Sequence, residues 1–250
     1  MELKICHLYP DVLNLYGDGG NIRCLTQRLK WRGIAAEVTK IPIGSKESLT
    51  GFDLAFIGGG QDFEQEVLLE DLHHGRDKEL IAAVQDGMTI LAICGGYQML
   101  GTYYETHDGK RCDFVGALDL YTVGAKTRMI GNYMYKADEK LGAFTVVGFE
   151  NHSGKTRLGS GVEALGTVLA GFGNNGEDGL EGAHYNNVFG TYSHGPLLPK
   201  NPECADLLIR TALARKYGTA ELVPLDDTLE KAAHDEMCRR LEKSGTHERN

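Results

Sequence analysis

The chain has 250 residues, 42% of them hydrophobic and 24% charged, with a formal net charge of -9. This length and balance predict a globular protein whose core needs no disulfide staples. They argue against a nucleic-acid partner, because an acidic surface repels phosphate backbones. No run approaches the ~18 apolar residues of a membrane span, and the N-terminal MELKICHLYP lacks the apolar core of a signal peptide. The six cysteines are scattered, with no C-x-x-C pair. That pattern predicts reduced thiols and a cytoplasmic setting.

KICHL (4–8) opens the chain as a short strand. NIRCLTQRLKWR (21–32) follows as a helix, with Asn21 as N-cap, Ile22, Leu25 and Leu29 on one face, and Gly33 just beyond its end. AAEVTKI (35–41) and DLAFI (53–57) are strands, and the second runs into Gly58, Gly59 and Gly60. Two helical stretches fill 63–86 before Gly87, and TILAI (89–93) is a buried strand that passes directly into a helix. Alternating strands and helices predict an α/β fold: three αβα layers around a mostly parallel sheet of flavodoxin-like type.

Beyond residue 113 the segments are short and β-rich, at 114–123, 125–136, 143–150, 164–170 and 184–192. They predict added strands, some of them antiparallel. PECADLLIRTALARKY (202–217) reads as a helix between Pro202 and Gly218. In 226–243, Leu229, Ala232, Ala233, Met237 and Leu241 recur at helical spacing, which predicts an amphipathic helix packed on the domain or on a partner. The expected organisation is one domain over 1–218 and a helical tail over 219–250.

Ligands of open parallel sheets bind beyond the carboxyl ends of strands. The glycine breaks at 58–60 and 95–96 both follow such ends and should lie close in space. Between TILAI and the next helix, Ala92-Ile93-Cys94-Gly95-Gly96 has the small-x-nucleophile-x-Gly pattern of a sharp elbow. A cysteine there sits at a helix N-terminus, which favours thiolate. The N–H of Gly95 points to where an oxyanion would form. A buried cysteine beside a tight turn is the blander alternative.

The nucleophile needs a base. His73 and His74 lie on an acidic helix, and His107, His234 and His247 lie in polar stretches. His194 differs: it ends the strand-like NNVFGTYSHG and is stopped by Gly195-Pro196, on the rim expected for Cys94. The GGGQD run offers Gly60 as a second oxyanion donor, with Gly59 nearby for substrate. SGKT (153–156) ends like a phosphate loop, but position 149 is Phe where the pattern requires Gly.

Together AICGGYQMLG, IGGGQD and TYSHG resemble the class I glutamine amidotransferases, and GFENHSG (148–154) resembles their cobyric acid synthase-like branch. The resemblance implies a glutaminase with Cys94 as nucleophile, His194 as base and Gln98 helping to hold L-glutamine. Many relatives carry His-x-Glu; here Pro196 stands two residues past His194. The orienting group is therefore open, with Glu150 as the candidate. Arg128 is the candidate clamp for the α-carboxylate of glutamine.

YPDVLNLYGDGGNI, TRMIGNY and SHGPLLPKNP are similar to free-standing glutaminase subunits of that branch. This implies a heterodimer with a Mur-ligase-type synthetase that amidates the D-glutamate of the lipid II stem. ATP and Mg would then belong to the partner, and no cofactor or metal to this chain. A γ-glutamyl hydrolase on the same fold, a binding or sensor module with a dead or redox-active cysteine, and an amidotransferase for a corrin acceptor remain the alternatives.

Overall fold

The computed structural model describes residues 1–60, 68–218 and 221–245. Six strands make the first sheet, in the order β11-β12-β4-β3-β1-β2: β1 (Glu2–Leu8), β2 (Ala35–Ile41), β3 (Leu54–Ile57), β4 (Thr89–Ile93), β11 (Ala183–Tyr185) and β12 (Val188–Thr191). All neighbours are parallel except β11 and β12. Every residue of β3, β4 and β12 is buried. That is why these strands read as unbroken apolar runs rather than alternating ones.

The register aligns the strand ends. Leu8 pairs with Ile57, Ile57 with Ala92, and Ile93 with Thr191. The chain therefore leaves β1, β3, β4 and β12 along one edge. The order also reverses at β1, whose two neighbours are β2 and β3. The loop after β1 opens into the crevice beside β3, where doubly wound sheets place their ligands.

The helices are α1 (Gly20–Trp31), α2 (Asp77–Gln85), α3 (Gly95–Met99), α4 (Pro202–Tyr217) and α5 (Thr228–Gly245). On α1, Ile22, Leu25 and Leu29 are buried as their spacing predicts, and Gly33 follows with φ 67. Asn21 is not the N-cap. It lies inside the helix, buried, and its Oδ1 accepts the Leu198 N–H at 2.9 Å. A tertiary partner takes the oxygen that a cap would have used. A wide helical turn, Leu72–Arg76, leads into α2 and is broken at Gly75 with φ 118. The expected helical residues 63–67 lie outside the described segments.

Of the added strands, the expected 184–192 extends the first sheet as β11 and β12, and the others gather into a second sheet. Its order is β10-β9-β7-β5-β6, with β8 also on β7. The strands are β5 (Tyr103–Glu105), β6 (Arg111–Asp113), β7 (Leu120–Ala137), β8 (Thr145–Leu158), β9 (Gly166–Ala170) and β10 (Leu180–Glu181). The long β7–β8 hairpin satisfies its own backbone, so it builds a separate layer. SGKT lies within β8, with no helix following. The first part of the expected strand 114–123 is irregular, and β7 begins only at Leu120.

The tail is tied in two ways. Arg28 of α1 pairs with Asp206 of α4 at 2.8 Å and with Asp227 at 2.6 Å. On α5, Leu241 and Met237 pack on Met134 of β7 and Val147 of β8, whereas Leu229 at its start is 82% exposed.

A buried carboxyl joins the sheets. Glu181 of β10 accepts from Tyr133 Oη (2.9 Å), Thr191 Oγ1 (2.7 Å) and the Tyr192 N–H (2.9 Å), all at Oε1. Burial pushes its pKa from 4.5 up to about 7, against the pull of these donors. The folded form therefore holds a proton that the unfolded chain releases. The resulting stabilisation is complete below pH 4.5 and is lost as the pH rises through about 7. Glu181→Gln keeps the acceptor and removes the titration. Urea unfolding should show wild-type stability falling by up to about 3 kcal/mol across this window, and the variant should stay nearly flat. Equal slopes would refute this assignment.

Candidate active site

Cys94 stands between β4 and α3 with φ 47 and ψ -106, a conformation rare for any residue other than glycine. Holding a side chain there costs on the order of 1–3 kcal/mol. The turn is pinned from both sides: the Cys94 N–H donates to Thr191 O at 2.8 Å, and its carbonyl accepts from the Gln98 N–H at 2.8 Å. Gly96 is required, since a Cβ there would sit 2.6 Å from the Gly58 carbonyl oxygen. The two glycine breaks thus touch, as their positions after β3 and β4 predict. Gly95 and Gly60 are both buried along this edge. Gln61 and Asp62 of the GGGQD run lie outside the described residues.

His194 is fully buried three residues past β12. Its backbone N–H donates to Phe149 O at 2.8 Å, which ties it to β8. The Tyr16 ring lies edge-on to the imidazole, with centroids 5.0 Å apart. Nδ1 lies 3.1 Å from Asp18 Oδ2. A carboxylate only accepts, so Nδ1 carries the proton and Nε2 is left for chemistry. Nε2 has no hydrogen-bond partner. Burial alone would lower the basicity of the ring. Interactions with Cys94 and with the Asp18 carboxylate outweigh it and raise the pKa to about 10.

Asp18 is the residue the motifs do not reveal. It is fully buried in the loop between β1 and α1, and its Oδ2 accepts from both His194 and the Gly59 N–H, the latter at 2.9 Å. Its signal in the sequence is YGDGGN: an acid among glycines, just after the first parallel strand.

Two expectations change. Glu150 does not orient His194. Its carboxylate accepts from the Phe172 and Gly173 N–H groups at 2.8 and 3.0 Å, and Oε2 lies 3.6 Å from His152 Nε2. Alternation along β8 explains the miss. Phe149 turns to Tyr16 on the His194 side, and Glu150 turns the opposite way. Gly59 is not a free donor either, because its N–H is committed to Asp18. Its lack of a side chain serves the histidine, since a Cβ there would lie 2.4 Å from His194 Cε1.

Gln98 is buried one turn after Cys94 and donates from Nε2 to Tyr192 Oη at 3.0 Å. Arg128 is exposed in a bulge of β7, where the pairing with β8 shifts between Gly124 and Met129. It donates from Nε to Asn151 Oδ1 at 2.8 Å, and Asn151 in turn donates to Tyr16 Oη. This chain of contacts connects Arg128 to the rim above His194.

Solved structures share this architecture. PurLQS from Thermotoga maritima matches with a TM-score of 0.56 at 16% identity, over 85% of this chain and 98% of that one. A glutamine amidotransferase, also from Thermotoga maritima, matches with a TM-score of 0.53 at 16% identity, over 96% and 97%. In sequence the chain is 43% identical to the lipid II isoglutaminyl synthase (glutamine-hydrolyzing) subunit GatD of Staphylococcus aureus, over 97% of each chain. It is 39% identical to the subunit of the same name in Streptococcus pneumoniae, over 94% of this chain and 90% of the relative. A probable cobyric acid synthase of Methanoregula boonei is 33% identical over 74% of this chain, which spans 37% of that longer relative. Residues 4–202 match the CobB/CobQ-like glutamine amidotransferase domain, and the chain belongs to that family.

Proposed function

We propose that this chain is the glutamine-hydrolysing subunit of a lipid II isoglutaminyl synthase, and that Cys94, His194 and Asp18 carry the hydrolysis. The observation that supports this most is the meeting of a strained cysteine, an imidazole and a buried carboxylate at one sheet edge. The chain that holds them matches relatives of that name along nearly its whole length.

In this reading Cys94 Sγ attacks the side-chain amide carbon of L-glutamine. The N–H groups of Gly60 and Gly95 hold the resulting oxyanion. As the intermediate collapses the C–N bond breaks, and His194 Nε2 gives its proton to the departing nitrogen, releasing ammonia. A γ-glutamyl thioester remains on Cys94. His194 then takes a proton from water, the hydroxide adds to the thioester, and glutamate leaves as the thiolate returns. Asp18 keeps Nδ1 protonated and balances the imidazolium through both halves of the cycle. Gln98 helps to hold the substrate amide, and Arg128 takes its α-carboxylate.

The ammonia passes to a Mur-ligase-type partner in a heterodimer. That partner uses ATP and Mg to activate the D-glutamate carboxylate of the lipid II stem, giving D-isoglutamine. Dependence on ATP places the pair in the cytoplasm. No helix among the described residues is long and apolar enough to cross a membrane. The near-complete match to the subunit relatives favours this acceptor over a corrin.

Glutamine hydrolysis by the co-purified complex tests the assignment. Cys94→Ala should abolish turnover while leaving the thermal melt intact, and His194→Ala should also abolish turnover. Asp18→Asn should lower kcat by up to about 10⁴-fold, the loss seen when a buried carboxylate no longer fixes a catalytic imidazole. Normal turnover in any of the three would refute that residue's role.

Arg128→Ala should act on binding alone. The glutamine KM should rise about tenfold with kcat little changed, the signature of a lost ground-state contact. An unchanged KM would remove Arg128 from the site.

A further inference from the structure

SGKT (153–156) lies in β8 with no helix behind it, yet two of its residues reach the proposed site. Thr156 of β8 lies opposite Thr122 of β7, and their fully buried hydroxyls share a hydrogen bond at 2.8 Å. Thr156 Oγ1 also hydrogen-bonds Tyr192 Oη at 2.6 Å. The same phenol oxygen accepts the bond that Gln98 Nε2 donates, at 3.0 Å. A row of hydroxyls thus runs from the second sheet to the side-chain amide one turn beyond Cys94. Gly154 makes room for it: a Cβ there would lie 2.4 Å from Gln98 Nε2 and 2.6 Å from Thr122 Cγ2.

Tyr192 is held by its ring and its backbone as well as by its hydroxyl. The ring is fully buried, with the His152 ring stacked on it at 3.5 Å between centroids and 7° between planes. The Tyr97 ring meets it edge-on at 5.4 Å. The Tyr192 N–H donates to Glu181 Oε1. His152 is fixed in turn: its Nδ1 faces the Gly154 carbonyl at 2.8 Å, and since a carbonyl only accepts, Nδ1 carries the proton. Gln98 stands on α3, a helix of five residues, and its backbone N–H holds the Cys94 carbonyl. The elbow therefore fixes where this side chain starts, and Tyr192 fixes where it ends.

We infer that Tyr192 is a positioning residue: its hydroxyl, fixed by Thr156 and Thr122, pins the Gln98 amide in the orientation that meets the substrate glutamine. Tyr192 touches no substrate in this account; it acts through Gln98. A glutamine side chain has several rotatable bonds, and a ligand that orders it loses affinity to that ordering. The row of hydroxyls orders it before the substrate arrives. The second sheet thereby takes part in binding, through a cross-strand pair of threonines and the glycine between them. The inference rests on the reading that Gln98 holds the substrate amide.

The test is steady-state glutamine hydrolysis by the co-purified complex. Tyr192→Phe keeps the ring and removes only the hydroxyl. The glutamine KM should rise about three- to tenfold, the worth of one hydrogen bond. The kcat should stay within about twofold of wild type, because the lost contact serves binding. Gly154→Ala leaves every hydroxyl in place but crowds the amide, and it should raise KM in the same way. It carries the test alone should Tyr192→Phe lose its native melt. Gln98→Ala should raise KM at least as far, and in that background Tyr192→Phe should add nothing further. An unchanged KM in Tyr192→Phe or Gly154→Ala, a fall in kcat alone, or an undiminished effect in the Gln98→Ala background would each overturn the role of Tyr192 and leave the proposed function standing. An unchanged KM in Gln98→Ala would instead overturn the part given to Gln98, and this inference with it.

Discussion

The site depends on the parallel register of β1, β3, β4 and β12. Because their ends are level, four separate stretches of chain emerge side by side, carrying Asp18, the glycines 58–60, Cys94 and His194. No two of these groups belong to the same connection. A slip of two residues in any strand would move its group by about 7 Å along the strand, since each residue rises ~3.3 Å. The apolar residues that fill β3, β4 and β12 therefore do more than build a core: they fix the geometry of the chemistry.

The second constraint is charge. Cys94, His194 and Asp18 are all more than nine-tenths buried. A lone ion in such a place would be costly. The arrangement tolerates the buried carboxylate because the His194 imidazole and the Gly59 N–H both serve its Oδ2. Around them, glycine is required by contact rather than by loop flexibility. Gly96 lies against the Gly58 carbonyl, and Gly59 lies against the imidazole. The strained backbone of Cys94 sits where its surroundings overdetermine it, which is how such strain persists in a folded protein.

Much of this was legible in the sequence for stated reasons. Buried parallel strands give unbroken apolar runs, so β3 and β4 stand out, and the elbow follows from small residues flanking a cysteine. Asp18 was not legible as the partner of His194. The two lie 176 positions apart, and only the switch in strand order beside β1 brings them together. Glu150 misled because it lies close in sequence to Phe149, which does face the site; one step along a strand reverses the side chain. Gly59 misled because a bare glycine run does not say which N–H is already committed. Glu181, buried between the sheets, gave no local signal at all. Its donors come from Tyr133, Thr191 and Tyr192, in two different sheets.

The central claim is that one sulfur, set at a chain reversal, exchanges protons with one imidazole while it holds an acyl group. The most direct measurement is an acid quench of the complex during turnover with radiolabelled glutamine, followed by peptide mapping. A glutamyl group on the peptide that carries Cys94, removed by mild base or hydroxylamine, is the predicted result. Turnover with no label on Cys94, or with the label on another of the six cysteines, would contradict the account.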